Sequence, residues 1–177
     1  MRQKSKVENA LLRTTNFYLL SCNIDSDIIG RIEKGLFGSL RVMKVFISHT
    51  QKDMTLARKV ASGLKACGFD VWDDTKILPG QNWAEEIAKA LRESEAMVVL
   101  LTPDALSSRF VQSEISYALG QVSYGHRVIP VFVGSPDQIP EEQIPWILRR
   151  LKGIVLPEPG QDEEGIAQIA SALKQVA

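Results

Sequence analysis

Short apolar runs alternate along this chain with stretches in which apolar positions recur at helical spacing, and the alternation starts at Met43. Lys44 to Ser48 holds the continuous run Val45-Phe46-Ile47, the mark of a strand buried on both faces. Leu56, Ala57, Val60, Ala61 and Leu64 then form one stripe of a helix that Gly68 should end. Phe69 to Trp72 is a second short strand. After a loop holding Pro79 and Gly80, Trp83, Ile87, Ala90 and Leu91 share a face of a second helix. Met97 to Leu101 is a third strand, bounded by Pro103. Ser107 or Ser108 can cap a third helix with the stripe Val111, Ile115, Ala118, Leu119 and Val122. Val128 to Val133 and Gly153 to Leu156 are two more strands, and a last helix, about Glu163 to Val176, carries Ile166, Ile169 and Leu173. Strand and helix in strict alternation predict an α/β domain, a parallel sheet with helices on both faces joined by right-handed crossovers.

The 42 residues before this pattern have no sustained period, and they differ in charge: seven Lys and Arg against four Asp and Glu, compared with fourteen against seventeen from Met43 onward. We read residues 1–42 as a poorly defined N-terminal extension or an over-long gene start, and 43–177 as one domain. A chain of 177 residues buries about 70% of the surface its unfolded form exposes, enough for one core without metal or disulfide staples. With 21 basic and 21 acidic side chains it has no overall basic field for nucleic acid or an anionic membrane. Its apolar runs are far below the roughly 20 residues that span a bilayer. Cys22 and Cys67 stand in no metal-ligand spacing, and neither structural zinc nor a disulfide framework is supported, in keeping with a reducing cytoplasm.

In open parallel sheets ligands bind beyond the carboxyl ends of the strands, so the loops after the first three strands are where chemistry is expected. None carries a Walker phosphate loop, a Rossmann glycine fingerprint or a nucleophile elbow. On the helix after Ser108, Phe110 and Glu114 lie one turn apart along the edge of the apolar stripe, which places Glu114 half in and half out of the core. A carboxylate so placed can accept a ligand hydroxyl or steady a developing positive charge, although a lone glutamate at a stripe edge is more often surface patterning. His49 follows a strand end where a ligand could sit, but without a carboxylate or thiol neighbour in sequence it is read as a surface or turn residue. Asp73 and Asp74 suit a solvated loop better than a metal site, and no metal is expected. The loop from Asp73 to Gly80 is longer than the two to six residues usual between strand and helix, which suits a binding or gating role.

In order and spacing these segments resemble the Toll/interleukin receptor (TIR) domain: Val45-Phe46-Ile47-Ser48-His49 with Asp53, Gly68-Phe69-Asp70-Val71-Trp72-Asp73, Ile77-Leu78-Pro79-Gly80-Gln81-Asn82-Trp83, Val98-Val99-Leu100-Leu101-Thr102-Pro103, and Phe110-Val111-Gln112-Ser113-Glu114. The resemblance implies a flavodoxin-like three-layer sandwich with a five-stranded parallel sheet. It also implies an NAD+ nucleosidase of the bacterial type that cleaves the nicotinamide-ribose bond, releasing nicotinamide with ADP-ribose or a cyclic ADP-ribose, in signalling or antiphage defence. Glu114 would be the catalytic carboxylate, and Phe46, Ile47, Ser48, Trp72, Asp73 and Phe110 would bind substrate. Phe110 stands where the family commonly has Trp. Pro79, Gly80 and Trp83 would belong to a gating loop. The partners implied are NAD+, as substrate rather than cofactor, and other TIR domains in head-to-tail self-association, with no nucleic acid and no membrane, in the cytoplasm.

Two other functions fit the pattern: a non-catalytic TIR adaptor that docks other TIR domains, and a nucleoside deoxyribosyltransferase-like enzyme with a related sheet and its own ribose-facing glutamate. A response-regulator receiver is disfavoured. Ser48-His49 and Thr102-Pro103 stand where that fold needs an acidic pair and a phosphorylatable aspartate.

Overall fold

The computed structural model describes residues 42–72, 77–125, 127–134, 139–156 and 162–176. The expected extension over residues 1–42 lies, but for its last residue, outside them. The strands are β1 (Lys44–Ser48), β2 (Asp70–Val71), β3 (Ala96–Leu101), β4 (Val128–Val133) and β5 (Ile154–Leu156). They are parallel neighbours in the order β2-β1-β3-β4-β5. The longer helices are α1 (Met54–Ala66), α2 (Trp83–Glu93), α4 (Arg109–Gly120) and α6 (Asp162–Gln175), with short α3 (Pro103–Ser107) and α5 (Trp146–Arg149) between them. This is the flavodoxin-like sheet of the sequence expectation.

The side-chain period of two along each strand divides the core into two layers. Val45, Ile47, Val98 and Leu100 face the layer that Val60 and Leu64 of α1 and Ile166, Ile169 and Leu173 of α6 complete. Phe46, Met97, Val99 and Leu101 face the other, with Ile87, Ala90 and Leu91 of α2 and Val111, Ile115 and Ala118 of α4. Every residue of β3 is buried, because the central strand has a helix layer on both sides. Gly68 ends α1 at φ +91°, donating its N–H to Lys65 O. Asn82, Thr102 and Ser108 cap α2, α3 and α4 through their side chains.

Three expectations need correcting. Val122 is not part of the α4 stripe: the helix ends at Gly120, Gln121 is extended, and Val122 is 96% exposed. The core position goes to Tyr124 from the following turn, whose hydroxyl donates to the Leu91 carbonyl at 2.7 Å. Trp83, expected on the buried face of α2, is 50% exposed; it stands at the first turn, beyond the layer that holds Ile87. Cys67 is disulfide-bonded, and a single pair of cysteines offers no spacing pattern from which such a bond could be read. Among the described residues no helix is long and apolar enough to cross a membrane.

Candidate active site

The order β2-β1-β3 means that the connections leaving β1 and β3 run in opposite directions across the sheet, which opens a crevice at the carboxyl ends of these two strands. A cleft of about 240 Å³ lies there. Its walls are Phe46, Ile47, His49, Thr50 and Gln51 from β1 and its loop, Trp72 after β2, Trp83 and Ile87 of α2, and Ser108, Phe110 and Glu114 at the start of α4.

Two aromatic pairs form much of the wall. Phe46 and Trp72 stack with centroids 5.3 Å apart and planes 16° from parallel. Trp83 and Phe110 meet at 4.8 Å and 31°, and both stay partly open to solvent, 50% and 39% exposed. These geometries suit ring-on-ring contact, and the open rings can take a planar heterocycle. Among the described residues no lysine or arginine lines the cleft.

Glu114 is the charged group of this wall. The helical register that puts Phe110 at the mouth puts Glu114 one turn deeper, and the residue is only 5% exposed. The expectation of a half-exposed rim residue therefore understated its burial, since β1 packs over this turn of α4. Ser48 Oγ, itself buried at the end of β1, donates to Glu114 Oε2 at 2.5 Å. Burial pushes the Glu114 pKa up from its ordinary 4.5 to about 7, and the Ser48 hydrogen bond opposes that rise. A carboxyl with these properties exchanges its proton near neutral pH. Once ionised, it is a weakly solvated negative charge aimed at whatever fills the cleft.

The loop after β1 is held in place by one carboxylate. Asp53 Oδ2 accepts from Thr50 Oγ1 at 2.5 Å and from Thr102 Oγ1, at the end of β3, at 2.9 Å. The cleft wall at Thr50 and Gln51 is thereby tied to the neighbouring strand.

Of the residues expected to act together, Phe46, Ile47, Trp72, Trp83, Phe110 and Glu114 line one cleft, and Ser48 joins it through Glu114. Asp73 lies outside the described residues. Pro79 and Gly80 are exposed and are not among the lining residues; Gly80 sits at φ +90°. His49, Thr50, Gln51, Ile87 and Ser108 line the cleft without having been expected there. The signal for His49, Thr50 and Gln51 was position alone, directly after the strand at the switch point. Among the described residues no group of three or more His, Cys, Asp or Glu gathers where it could hold a metal.

The strand order and the carboxylate-bearing crevice define a flavodoxin-like α/β domain with a candidate site at the switch point. The TIR domain model matches residues 45–170, well over half of the chain, and the chain belongs to the TIR domain family. The 2' cyclic ADP-D-ribose synthase BtTIR of Bacteroides thetaiotaomicron is 27% identical over 86 residues, 48% of this chain and 30% of that protein. A metazoan TIR-STING receptor from C. gigas, solved in complex with 2',3'-cGAMP, aligns with a TM-score of 0.58 at 23% identity over 72% of this chain and 39% of its own. A second structure of a C. gigas TIR-STING receptor gives 0.55 at 21%, over 72% and 40%. The chain thus spans less than a third of the curated relative and about two fifths of the structural ones.

Proposed function

We infer that this TIR domain is an NAD+ nucleosidase that breaks the bond between nicotinamide and ribose. The observation that carries the reading is the buried carboxylate of Glu114, held by Ser48 in an aromatic-walled crevice at the switch point. The name of the bacterial relative, a cyclic ADP-ribose synthase, supports the same chemistry.

Breaking this bond sends its electron pair to the pyridinium nitrogen, and nicotinamide leaves as a neutral molecule. The leaving group needs no proton, so the site needs no strong acid. What remains is an oxocarbenium-like ribose, and an ionised carboxylate in a weakly solvated cleft stabilises that cation far better than one in water. Glu114 also offers an acceptor for a ribose hydroxyl. The open faces of Trp83 and Phe110 are suited to stacking on a planar base. The lack of basic lining among the described residues favours the cationic pyridinium end of NAD+ over an anionic group.

On this reading NAD+ is substrate, not cofactor, and the product is ADP-ribose or a cyclic ADP-ribose. The loop with Pro79, Gly80 and Trp83 gates the cleft, Asp73 takes part in substrate binding, and head-to-tail packing of domains completes the active form, in signalling or defence. Leu78 on that loop is 65% exposed, and Trp83 and Phe110 are also open to solvent, which favours a second reading, a docking face for another TIR domain. Incubating the protein with NAD+ at high concentration and following free nicotinamide separates the two, with Glu114→Gln as control. Turnover lost in the variant supports the enzyme, and no turnover at any protein concentration leaves the docking module.

A further inference from the structure

Nicotinamide leaves without needing a proton, but the molecule that replaces it does not arrive so simply. Water, or a hydroxyl of the second ribose in a cyclisation, must shed a proton as its oxygen bonds to the ribose carbon. Glu114 is poorly placed to take it. Its Oε2 is engaged by Ser48, and accepting the proton would remove the negative charge while the sugar is still electron-poor.

Among the described residues lining the cleft, one other side chain is a ready proton acceptor. His49 lines it, and its Nδ1 lies 3.0 Å from the carbonyl oxygen of Ile47. A carbonyl only accepts, so Nδ1 carries the hydrogen in the neutral ring, and the lone pair is left on Nε2. The backbone of β1 thus sets the tautomer and fixes the ring's orientation, as a carbonyl behind a catalytic imidazole does. Thr50 and Gln51, the neighbouring lining residues, are neutral and do not compete for the proton.

Resting on the NAD+ reading above, we propose that His49 is a second catalytic residue, the base that takes the proton from the acceptor hydroxyl. Glu114 steadies the cation as the bond from ribose to nicotinamide breaks. The acceptor oxygen then bonds to the ribose carbon, its proton passes to His49 Nε2, and the imidazolium returns it to solvent. The sum is NAD+ and water giving nicotinamide, ADP-ribose and a proton; in cyclisation the ribose hydroxyl replaces water.

The division of labour has a sharp consequence. When free nicotinamide is the acceptor, its ring nitrogen attacks and no proton is lost, so exchange of the base needs Glu114 but not His49. The test uses His49→Asn, whose shorter amide can still donate to the Ile47 carbonyl, and His49→Gln, whose carbonyl cannot hold a proton. Each is assayed for ADP-ribose or cyclic product and for incorporation of labelled nicotinamide into NAD+. Product formation is expected to fall about 100-fold or more, while exchange stays within about threefold of wild type. If wild type turns over and the two rates fall together in both variants, or neither falls, the role of His49 is overturned and the NAD+ reading stands. A wild-type protein inert in both reactions overturns the NAD+ reading itself.

Discussion

Replacing Glu114 by Gln should stabilise this domain at alkaline pH while removing its activity. The carboxyl goes from an ordinary pKa of 4.5 to about 7 on folding, chiefly because burial strips water from the charged form. The folded state therefore holds the proton more tightly than the unfolded chain. Below pH 4.5 both states are protonated and the group costs nothing; between 4.5 and 7 stability falls as pH rises; above 7 the full penalty is present. At 1.36 kcal/mol for each pH unit, that penalty approaches about 3 kcal/mol. Gln keeps the shape and stays neutral at every pH, but it loses a charge-assisted bond to Ser48. At pH 8 the variant should melt higher than wild type by about 3 to 9 °C, taking about 3 °C per kcal/mol for a domain of this size, and at pH 4 the two should nearly coincide. Thermal melts of both proteins across that range provide the check. A variant less stable than wild type at pH 8, or a difference independent of pH, would refute the argument that the carboxylate is held against its own solvation.

Three more expectations follow from the same geometry. If Glu114 acts as proposed, ionised, NAD+ cleavage should rise with pH along a limb centred near 7 and level off above it; a rate flat from pH 5.5 to 8 would contradict this. Ser48→Ala removes the hydrogen bond that opposes the upward push on Glu114, and should move the limb upward by about 1 pH unit, read from kcat/KM across pH. Gly80→Ala places a side chain at φ +90°, a conformation costing a non-glycine residue about 1 to 2 kcal/mol; it should alter nicotinamide release more than melting temperature, and unchanged kinetics would detach that loop from gating. Gly80→Pro would be a poor substitute, since proline holds φ near −65° and would rebuild the turn rather than stiffen it.

The parts of this domain legible in its sequence are those governed by near neighbours. β3 and β4 read as unbroken apolar runs because both sheet faces are covered, and Phe110 and Glu114 were paired by helical spacing alone. What escaped depends on distant contacts. Ser48 and Glu114 meet across 66 positions, so neither the burial of the carboxylate nor its hydrogen bond is written near it. Tyr124 replaces Val122 because the helix stops at Gly120, an ending that the apolar period does not announce. Helices α3 and α5, five and four residues long, are too short to show a period. His49 was set aside for lack of a neighbour in sequence, and its partner is a carbonyl of its own strand.

The 66 residues separating Ser48 from Glu114 also have a consequence during synthesis. A nascent chain shows β1 to its surroundings well before the helix bearing the carboxylate has left the ribosome. Until that helix docks, the glutamate is hydrated and of ordinary acidity, and the crevice at the switch point has no back wall. Partly made or proteolysed copies therefore lack the site altogether, and it arrives only with the finished sheet.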